Sequence, residues 1–392
     1  MAPKLDIIVL GATGFTGRLT CRYLARKAEL KGRWGIAGRS EAKLAALKAE
    51  LDINVPTFIV DADQPATVDA ACAQTTCVIA CMGPFTLVGM PVVDACVRNG
   101  THYIDCTGET PFVRRAIAEY HETAAKKGVA IVPCCGFDCV PADLGNYLVH
   151  REAGEPVTVV RGYFEGTPAG VSNGTMNSVG CVLDSMTKED MSPLALVSKS
   201  DMQPACTPTR YGVWYENGRF TGLFVTASCD EKLVRRTNSL MGSSAAYVEA
   251  MQGSFARVMR LTVSTYVAAM GGMIAPLRRW MLRKYFTGTS IGPSDETMAK
   301  SSFRCDFVGR TASGKRVETT LLAKEDAYTA TALFLGECAM SVLKLAGKQS
   351  LKGGVLTPAY AFGDALVHRC RDAGISINTV IIDCAADPKE AQ

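Results

Sequence analysis

The stretch Leu5-Asp6-Ile7-Ile8-Val9-Leu10-Gly11-Ala12-Thr13-Gly14-Phe15-Thr16-Gly17 decides how the rest of the chain is read. Ile7 to Leu10 is continuously apolar, as a strand covered on both faces by helices should be. Three evenly spaced glycines follow: Gly11, Gly14 and Gly17. The first permits a sharp turn. The second lets backbone approach a pyrophosphate, and the third lets a helix sit tightly on the strand. Beyond them Leu19, Tyr23 and Leu24 recur at helical spacing, predicting a helix over 18–30 whose free N–H groups point at phosphates. Strand, glycine turn and helix in this order predict a dinucleotide site lined by Gly11, Thr13, Gly14, Phe15, Thr16 and Gly17.

Working outward, a second strand over 34–38 ends in Gly38-Arg39-Ser40, where an NAD-preferring fold usually carries Asp or Glu. A guanidinium and a hydroxyl suit a 2′-phosphate, and Lys43 lies one helical turn on. Arg39, Ser40 and Lys43 therefore favour NADP(H) over NAD(H). A third strand over 57–60 ends at Asp61, which lies near the adenine ring or caps the following helix. A fourth over 78–81 runs into Met82-Gly83-Pro84-Phe85, where the ribose and nicotinamide should pass, ahead of a helix over 91–99. A fifth strand leads into Thr107-Gly108-Glu109, and a sixth, over 129–133, into Cys134-Cys135-Gly136-Phe137-Asp138-Cys139. Met82, Gly83, Pro84, Thr107 and Gly108 complete the cofactor-binding candidates. The alternation predicts an α/β fold whose first part, 1–150, is a Rossmann-type doubly wound parallel sheet.

The pattern changes near residue 150. A β-branched run over 157–164, an Asn217-Gly218 hairpin signal and a second hairpin signal around 311–314 predict a mixed α/β domain over 151–350. The segment 351–392 should fold back onto the first domain. Two domains are also what a length of 392 residues favours. Lys and Arg exceed Asp and Glu by only 42 to 38, too small a surplus to argue for nucleic acid. The 16 cysteines are scattered in apolar runs, as reduced intracellular thiols would be. Neither Cys134-Cys135 nor Cys135-x-x-x-Cys139 has a zinc spacing, so no metal is expected. The first strand begins a few residues from Met1, and a cytoplasmic protein, or one peripheral on a membrane or lipid droplet, is the expectation. The apolar stretch 258–277, set between basic residues within 257–284, reads as a buried helix or oligomer face, or as a segment lying on a lipid surface. It approaches the ~20 residues that span a bilayer, but carries Arg260 and Gly271-Gly272.

Several motifs now occur in order: the glycine turn, Ala37-Gly38-Arg39-Ser40 with Lys43-Leu44, Gly83-Pro84-Phe85, the run from Gly100 to Glu109, and Cys135-Gly136-Phe137-Asp138. Together they resemble the saccharopine dehydrogenase-like oxidoreductases, a group that includes the trans-acting enoyl reductases of lipid assembly. The resemblance is strongest over the first 150 residues. It implies an NADP-binding domain, a mixed-sheet substrate domain and often an oligomer such as a homodimer. Cys139 stands where the resemblance leads one to expect Ser.

Hydride transfer needs a proton donor beside the nicotinamide. Glu109 and Asp138 are the catalytic candidates, each at a strand end, although Glu109 also reads as a helix-capping carboxylate and Asp138 as an Asx-turn residue. A saccharopine-type substrate would need several cations for its carboxylates. Arg161, Arg210, Arg235 and Arg236 are present, but adjacent Arg235 and Arg236 cannot share one pocket from a helix. The aromatic and Met-rich second half suits an apolar, lipid-linked acceptor better. The leading expectation is an NADP(H)-dependent oxidoreductase acting on such a small-molecule or lipid-linked substrate. The alternatives are a saccharopine reductase acting on an amino-acid imine, and a non-catalytic nucleotide-binding protein at a lipid surface.

Overall fold

The computed structural model describes residues 4–166, 170–206, 212–216, 218–285 and 292–382. The first part alternates strand and helix: β1 (Leu5–Leu10), α1 (Phe15–Ala25), β2 (Trp34–Gly38), α2 (Glu41–Leu51), β3 (Thr57–Ile59), α3 (Pro65–Cys72), β4 (Thr75–Ala80), α4 (Phe85–Asn99), β5 (His102–Asp105), α5 (Thr110–Lys127) and β6 (Ala130–Val132). Helix α6 (Val140–Ala153) leads into β7 (Val157–Gly166), α7 (Asn173–Ser185), β8 (Val213–Glu216), β9 (Arg219–Gly222), α8 (Ala227–Leu240) and β10 (Ala246–Gly253). Then come α9 (Phe255–Met273), α10 (Ala275–Tyr285), α11 (Asp295–Ala299), β11 (Phe303–Thr311), β12 (Arg316–Ala323), α12 (Ala327–Gly347), β13 (Gly354–Val355), α13 (Pro358–Asp372) and β14 (Ser376–Ile382).

Seven strands in the order β13-β6-β5-β4-β1-β2-β3 form a parallel sheet, with Ile7 opposite Trp34 on one side of β1 and Cys77 on the other. Ile7, Ile8, Val9 and Leu10 are fully buried, which is why this strand is apolar on both faces. A second sheet, in the order β14-β12-β11-β7-β10-β9-β8, is mixed: β10 runs parallel to β7, and the other pairs are antiparallel. The expected α/β class, with a parallel sheet and a second mixed sheet, is what the chain adopts. β8 pairs with β9 as the hairpin signal predicts, although Asn217 itself lies outside the described residues.

Helix α12 joins the two halves. Leu333, Phe334, Leu335 and Cys338 share one core with Ile79 and Ile104 of the first sheet and with Phe303 and Phe307 of the second. Its Glu337 carboxylate, buried in that core, accepts from Tyr23 Oη, from Lys27 Nζ at 2.6 Å and from Arg369 Nε at 2.6 Å. Arg369 also reaches Glu29 at 2.5 Å, so the tail helix α13 is tied to the α1 region. The tail thus packs back on the first sheet through α13 and the edge strand β13, while β14 crosses to close the second sheet beside β12.

Three expected boundaries move. The first helix begins at Phe15 and ends at Ala25, with a separate 3-10 turn over Ala28–Leu30. Helix α4 begins at Phe85 and carries Pro91 inside it. The apolar stretch 258–277 is two helices broken at Ile274, and only Val258 and Thr262 of α9 are buried. Among the described residues α12 is the helix long and apolar enough to cross a membrane, and most of it is buried in the core.

Candidate active site at the carboxyl ends of the parallel strands

Two of the three glycines in the β1–α1 turn leave no space for a side chain. Gly11 has φ +72°, and a Cβ there would stand 2.9 Å from the Cys81 carbonyl oxygen and 2.9 Å from Met82 Cγ. A Cβ on Gly17 would strike the Gly11 carbonyl oxygen, so the helix sits against the turn only because Gly17 has none. On Gly14 a Cβ would meet the Gly11 oxygen at 3.3 Å and little else, leaving that side open. Gly14 is the N-cap of α1 without a side-chain capping bond, and the first turn holds no acidic residue. Uncapped N–H groups, backbone that can be approached closely and the absence of negative charge fit the pyrophosphate of a dinucleotide.

Thr13 stands beside the end of β2: a Cβ on Gly38 would lie 3.8 Å from Thr13 Oγ1. Arg39 and Lys43 are exposed, and Arg39 has no ion-pair partner among the described residues. The Ser40 hydroxyl caps α2 by accepting from Lys43 N–H at 3.4 Å. Asp61 forms a local turn with Asp63 N–H at 3.3 Å, and the N-cap of α3 is Gln64. Arg39, Ser40 and Lys43 therefore cluster one strand away from the glycine turn, and Asp61 follows the adjacent edge strand β3.

The next two loops are joined by Glu109. Its carboxylate accepts from Phe85 N–H at 2.9 Å, from Thr86 N–H at 2.7 Å and from Thr86 Oγ1 at 2.5 Å. It therefore caps α4, and its own helix, α5, has no side-chain cap. This remote cap is why α4 starts at Phe85 and why Met82-Gly83-Pro84 is held beside Thr107-Gly108. Thr107 N–H and Cys134 N–H both donate to Asp105 Oδ1, at 2.9 and 3.0 Å, and Tyr103 Oη donates to Oδ2 at 2.7 Å. Burial pushes Asp105 up to about 7 against these bonds. Tyr103 and Asp105, two apart on the strand, thus form a bonded pair on one face.

The second half of the chain covers these loops. Phe15 packs edge-on against Tyr328, with ring centroids 5.1 Å apart, and the Tyr328 hydroxyl accepts from Ser172 N–H at 2.7 Å. Ser172 caps α7. A Cβ on Gly83 would lie 3.4 Å from Ser178 Oγ, and one on Gly108 would lie 3.7 Å from Cys229 Sγ. The cleft therefore has the strand ends on one wall and the starts of α7 and α8 on the other.

Asp138 stands in the turn after β6. It is an exposed residue, yet the protein around its carboxyl displaces water and raises it to about 6, with the charge of Cys229 adding to the shift. Behind it the thiols of Cys134, Cys139 and Cys229 meet, with Cys139 Sγ 3.9 Å from Cys229 Sγ and 3.2 Å from Asp230 Oδ1. Hydrogen bonds from Cys134 and Cys139 hold the Cys229 thiol well below its ordinary value. Asp230 and Glu249 are both raised, first by burial and then by the charges of neighbouring acids, and Tyr247 Oη donates to Glu249 Oε1 at 2.6 Å.

Cys229, Asp230, Glu249, Ser172 and Tyr328 are not legible as site residues in the sequence. The reason is clearest in α8. Asp230, Glu231, Lys232, Arg235, Arg236, Thr237 and Asn238 are all buried, whereas a helix of that polarity reads as a solvated surface. Arg235 bonds to Glu231 at 2.7 Å and to the Tyr247 carbonyl at 3.0 Å. Arg236 bonds to the carbonyls of Leu196 and Val355 at 2.8 and 2.6 Å. Arg161 pairs with Glu216, and Arg210 lies outside the described residues.

Residues 7–132 match the family model of the saccharopine dehydrogenase NADP binding domain. A trans-acting enoyl reductase of Mycobacterium leprae is 32% identical, with 96% of this chain and 98% of that protein aligned. One of Mycobacterium tuberculosis is 30% identical over the same shares of each chain. Among solved structures, apo saccharopine dehydrogenase (L-Glu forming) of Saccharomyces cerevisiae superposes with a TM-score of 0.54 at 15% identity, covering 97% of this chain and 100% of that one. Homospermidine synthase of Legionella pneumophila, in complex with NAD, superposes with a TM-score of 0.52 at 10% identity, covering 97% and 92%. These two likenesses speak to the fold. With relatives matched end to end and an NADP-binding domain built around the open glycine turn, the chain belongs to the saccharopine dehydrogenase-like family of NADP-dependent oxidoreductases, together with the trans-acting enoyl reductases.

Proposed function

We propose that this protein reduces an activated carbon–carbon double bond in an apolar, lipid-linked acceptor, with Asp138 as the proton donor. The glycine turn would hold NADPH, with Arg39, Ser40 and Lys43 toward its 2′-phosphate and Thr107 and Gly108 toward its nicotinamide side, and the bound cofactor would supply a hydride to the β-carbon of the unsaturated acyl group. The Asp138 carboxyl would give its proton to the α-carbon and regain one from solvent. Glu109 positions the 83–86 loop by capping α4. The observation that carries this reading is the fate of the arginines. Arg235 and Arg236 are committed to internal carbonyls and Glu231, whereas an imine bearing several carboxylates calls for cations free to pair with them. The names of the full-length relatives point the same way. NADPH oxidation measured with a long-chain enoyl thioester should show turnover; turnover only with aminoadipate semialdehyde plus glutamate would instead make the protein a saccharopine reductase.

A lipid surface is the setting this reading gives to α9 and α10. Phe255, Met259, Val263, Val267, Met270 and Ile274 form one exposed stripe at helical spacing, with Met270 69% exposed. Exposed Arg260 and Arg279 flank it, whereas Arg278 is buried and holds Asp184 and the Gly272 carbonyl. Sedimentation with anionic vesicles should carry the protein down, and replacing Val267 and Met270 by Ser should release it; equal sedimentation of that variant would place the stripe elsewhere than on lipid.

A further inference from the structure

The thiols behind Asp138 have an arrangement that hydride transfer does not require. Cys134 and Cys139 come from the loop between β6 and α6, and Cys229 and Asp230 from the first turn of α8, so the two halves of the molecule meet here. The ligand atoms of Cys139, Cys229 and Asp230 all lie within 4.8 Å of one another. A tetrahedral zinc ion with ordinary bond lengths places two sulfurs about 3.8 Å apart and a sulfur and an oxygen about 3.6 Å apart. The observed separations are 3.9 Å for Cys139–Cys229 and 3.2 Å for Cys139–Asp230.

A second observation points independently to a ligand. Asp230 is 0% exposed, and its Oδ2 makes no hydrogen bond of ordinary geometry, although the equally unmet Thr226 Oγ1 and Glu249 Oε2 stand near it. Leaving a carboxylate oxygen buried and unmet costs about 1–3 kcal/mol or more, so native folds rarely keep one without an occupant. Cys229 adds a third feature. It lies in the first turn of α8, where the positive end of the helix dipole favours the thiolate that a soft cation binds.

We propose that Cys139, Cys229 and Asp230 form a binding site for one thiophilic divalent cation of the zinc type. The ion staples α8 to the β6–α6 loop. Because Cys229 Sγ lies 3.7 Å from the Cβ position of Gly108, it also fixes the wall opposite the fifth strand end. Its ligands are separated by about ninety residues, so no local cysteine spacing announces it; Cys139 and Cys229 are 90 positions apart.

The test uses the full-length protein, stripped with chelator and titrated with cobalt(II) alone. One equivalent should bind and give thiolate-to-cobalt charge-transfer absorption, and zinc should displace it. Cys229→Ser and Cys139→Ser should each weaken binding at least 100-fold. Cys206→Ser, at an exposed and remote thiol, should leave it intact. Circular dichroism and thermal unfolding establish that each variant is folded, and Asp230→Asn, which keeps the side-chain shape, provides a further arm with the same expected loss. Absence of cobalt uptake by the folded wild-type chain, or uptake unchanged in Cys139→Ser and Cys229→Ser, overturns the proposal. Neither result depends on which acceptor the enzyme reduces.

Discussion

The two walls of the cleft are made of different material. The wall at the ends of β1, β2, β4 and β5 is mostly backbone: glycines that leave no room for a Cβ, uncapped N–H groups at the start of α1, and a loop held by Glu109. The facing wall, from α8 and the β6–α6 turn, is made of side chains: buried thiols and carboxyls whose charges shift one another. Backbone donors in a rigid turn suit a ligand that never varies, the cofactor's pyrophosphate. Side chains in a poorly hydrated cluster suit proton chemistry, because each neighbour's charge tunes the next.

The largest break in this contrast should come from the side-chain wall. Asp138→Asn removes the proposed proton donor and should lower kcat by about 10²–10⁴-fold. Affinity for NADPH, measured by fluorescence titration, should hardly move; parallel loss of both would mean that Asp138 serves the cofactor instead. On the backbone wall, Gly17→Ala forces a methyl against the Gly11 carbonyl oxygen. Overpacking of about 3 kcal/mol corresponds to about 10²-fold weaker NADPH binding, and a dissociation constant equal to wild type would show that the turn adapts.

Arg39→Asp should act on one phosphate only. The preference for NADPH over NADH should fall by roughly 10- to 100-fold, the worth of one charge-assisted contact, with NADH affinity unchanged or improved. Retention of the preference would move the 2′-phosphate away from β2. Glu109→Gln separates positioning from catalysis. It weakens the cap on α4 and should lower stability by about 1–2 kcal/mol, seen as a shift in the denaturant midpoint. Its effect on kcat should be far smaller than that of Asp138→Asn.

The smallest expected effect lies where the two halves are tied together. Asp143 on α6 accepts from Thr237 Oγ1 of α8 and, at 2.7 Å, from Ala359 N–H of α13, and burial raises it to about 7. A carboxyl raised above its unfolded value of about 3.9 binds a proton more readily in the folded state. It therefore stabilises the fold most at low pH, and that contribution is lost as pH rises from about 4 through about 7. Asp143→Asn should flatten this part of the stability profile. A slope identical to wild type would assign the pH dependence to other groups.

Glu109 and Asp138 show how far reading residues in order can reach. Both were recognisable as acids at strand ends. Which of them is exposed was not recognisable, because the burial of Glu109 depends on α4 starting where it does. Glu109 is committed to N–H groups more than twenty residues earlier in the chain, at Phe85 and Thr86. The apolar stretch 258–277 behaves similarly: its composition suits a core, a partner or a lipid, and only the packing leaves its stripe exposed.

What the amino-acid order determined by itself is the parallel sheet, the glycine turn and NADP(H) binding. These are signalled by strand periodicity, by the alternation of strand and helix and by where a Cβ is absent. Tertiary structure alone decided the other wall. Cys134, Cys139, Cys229, Asp230 and Glu249 become one cluster only when β10 and α8 pack beside the β6–α6 turn. Burial, which gives those groups their shifted proton affinities, is a property of the assembled fold and of no single segment.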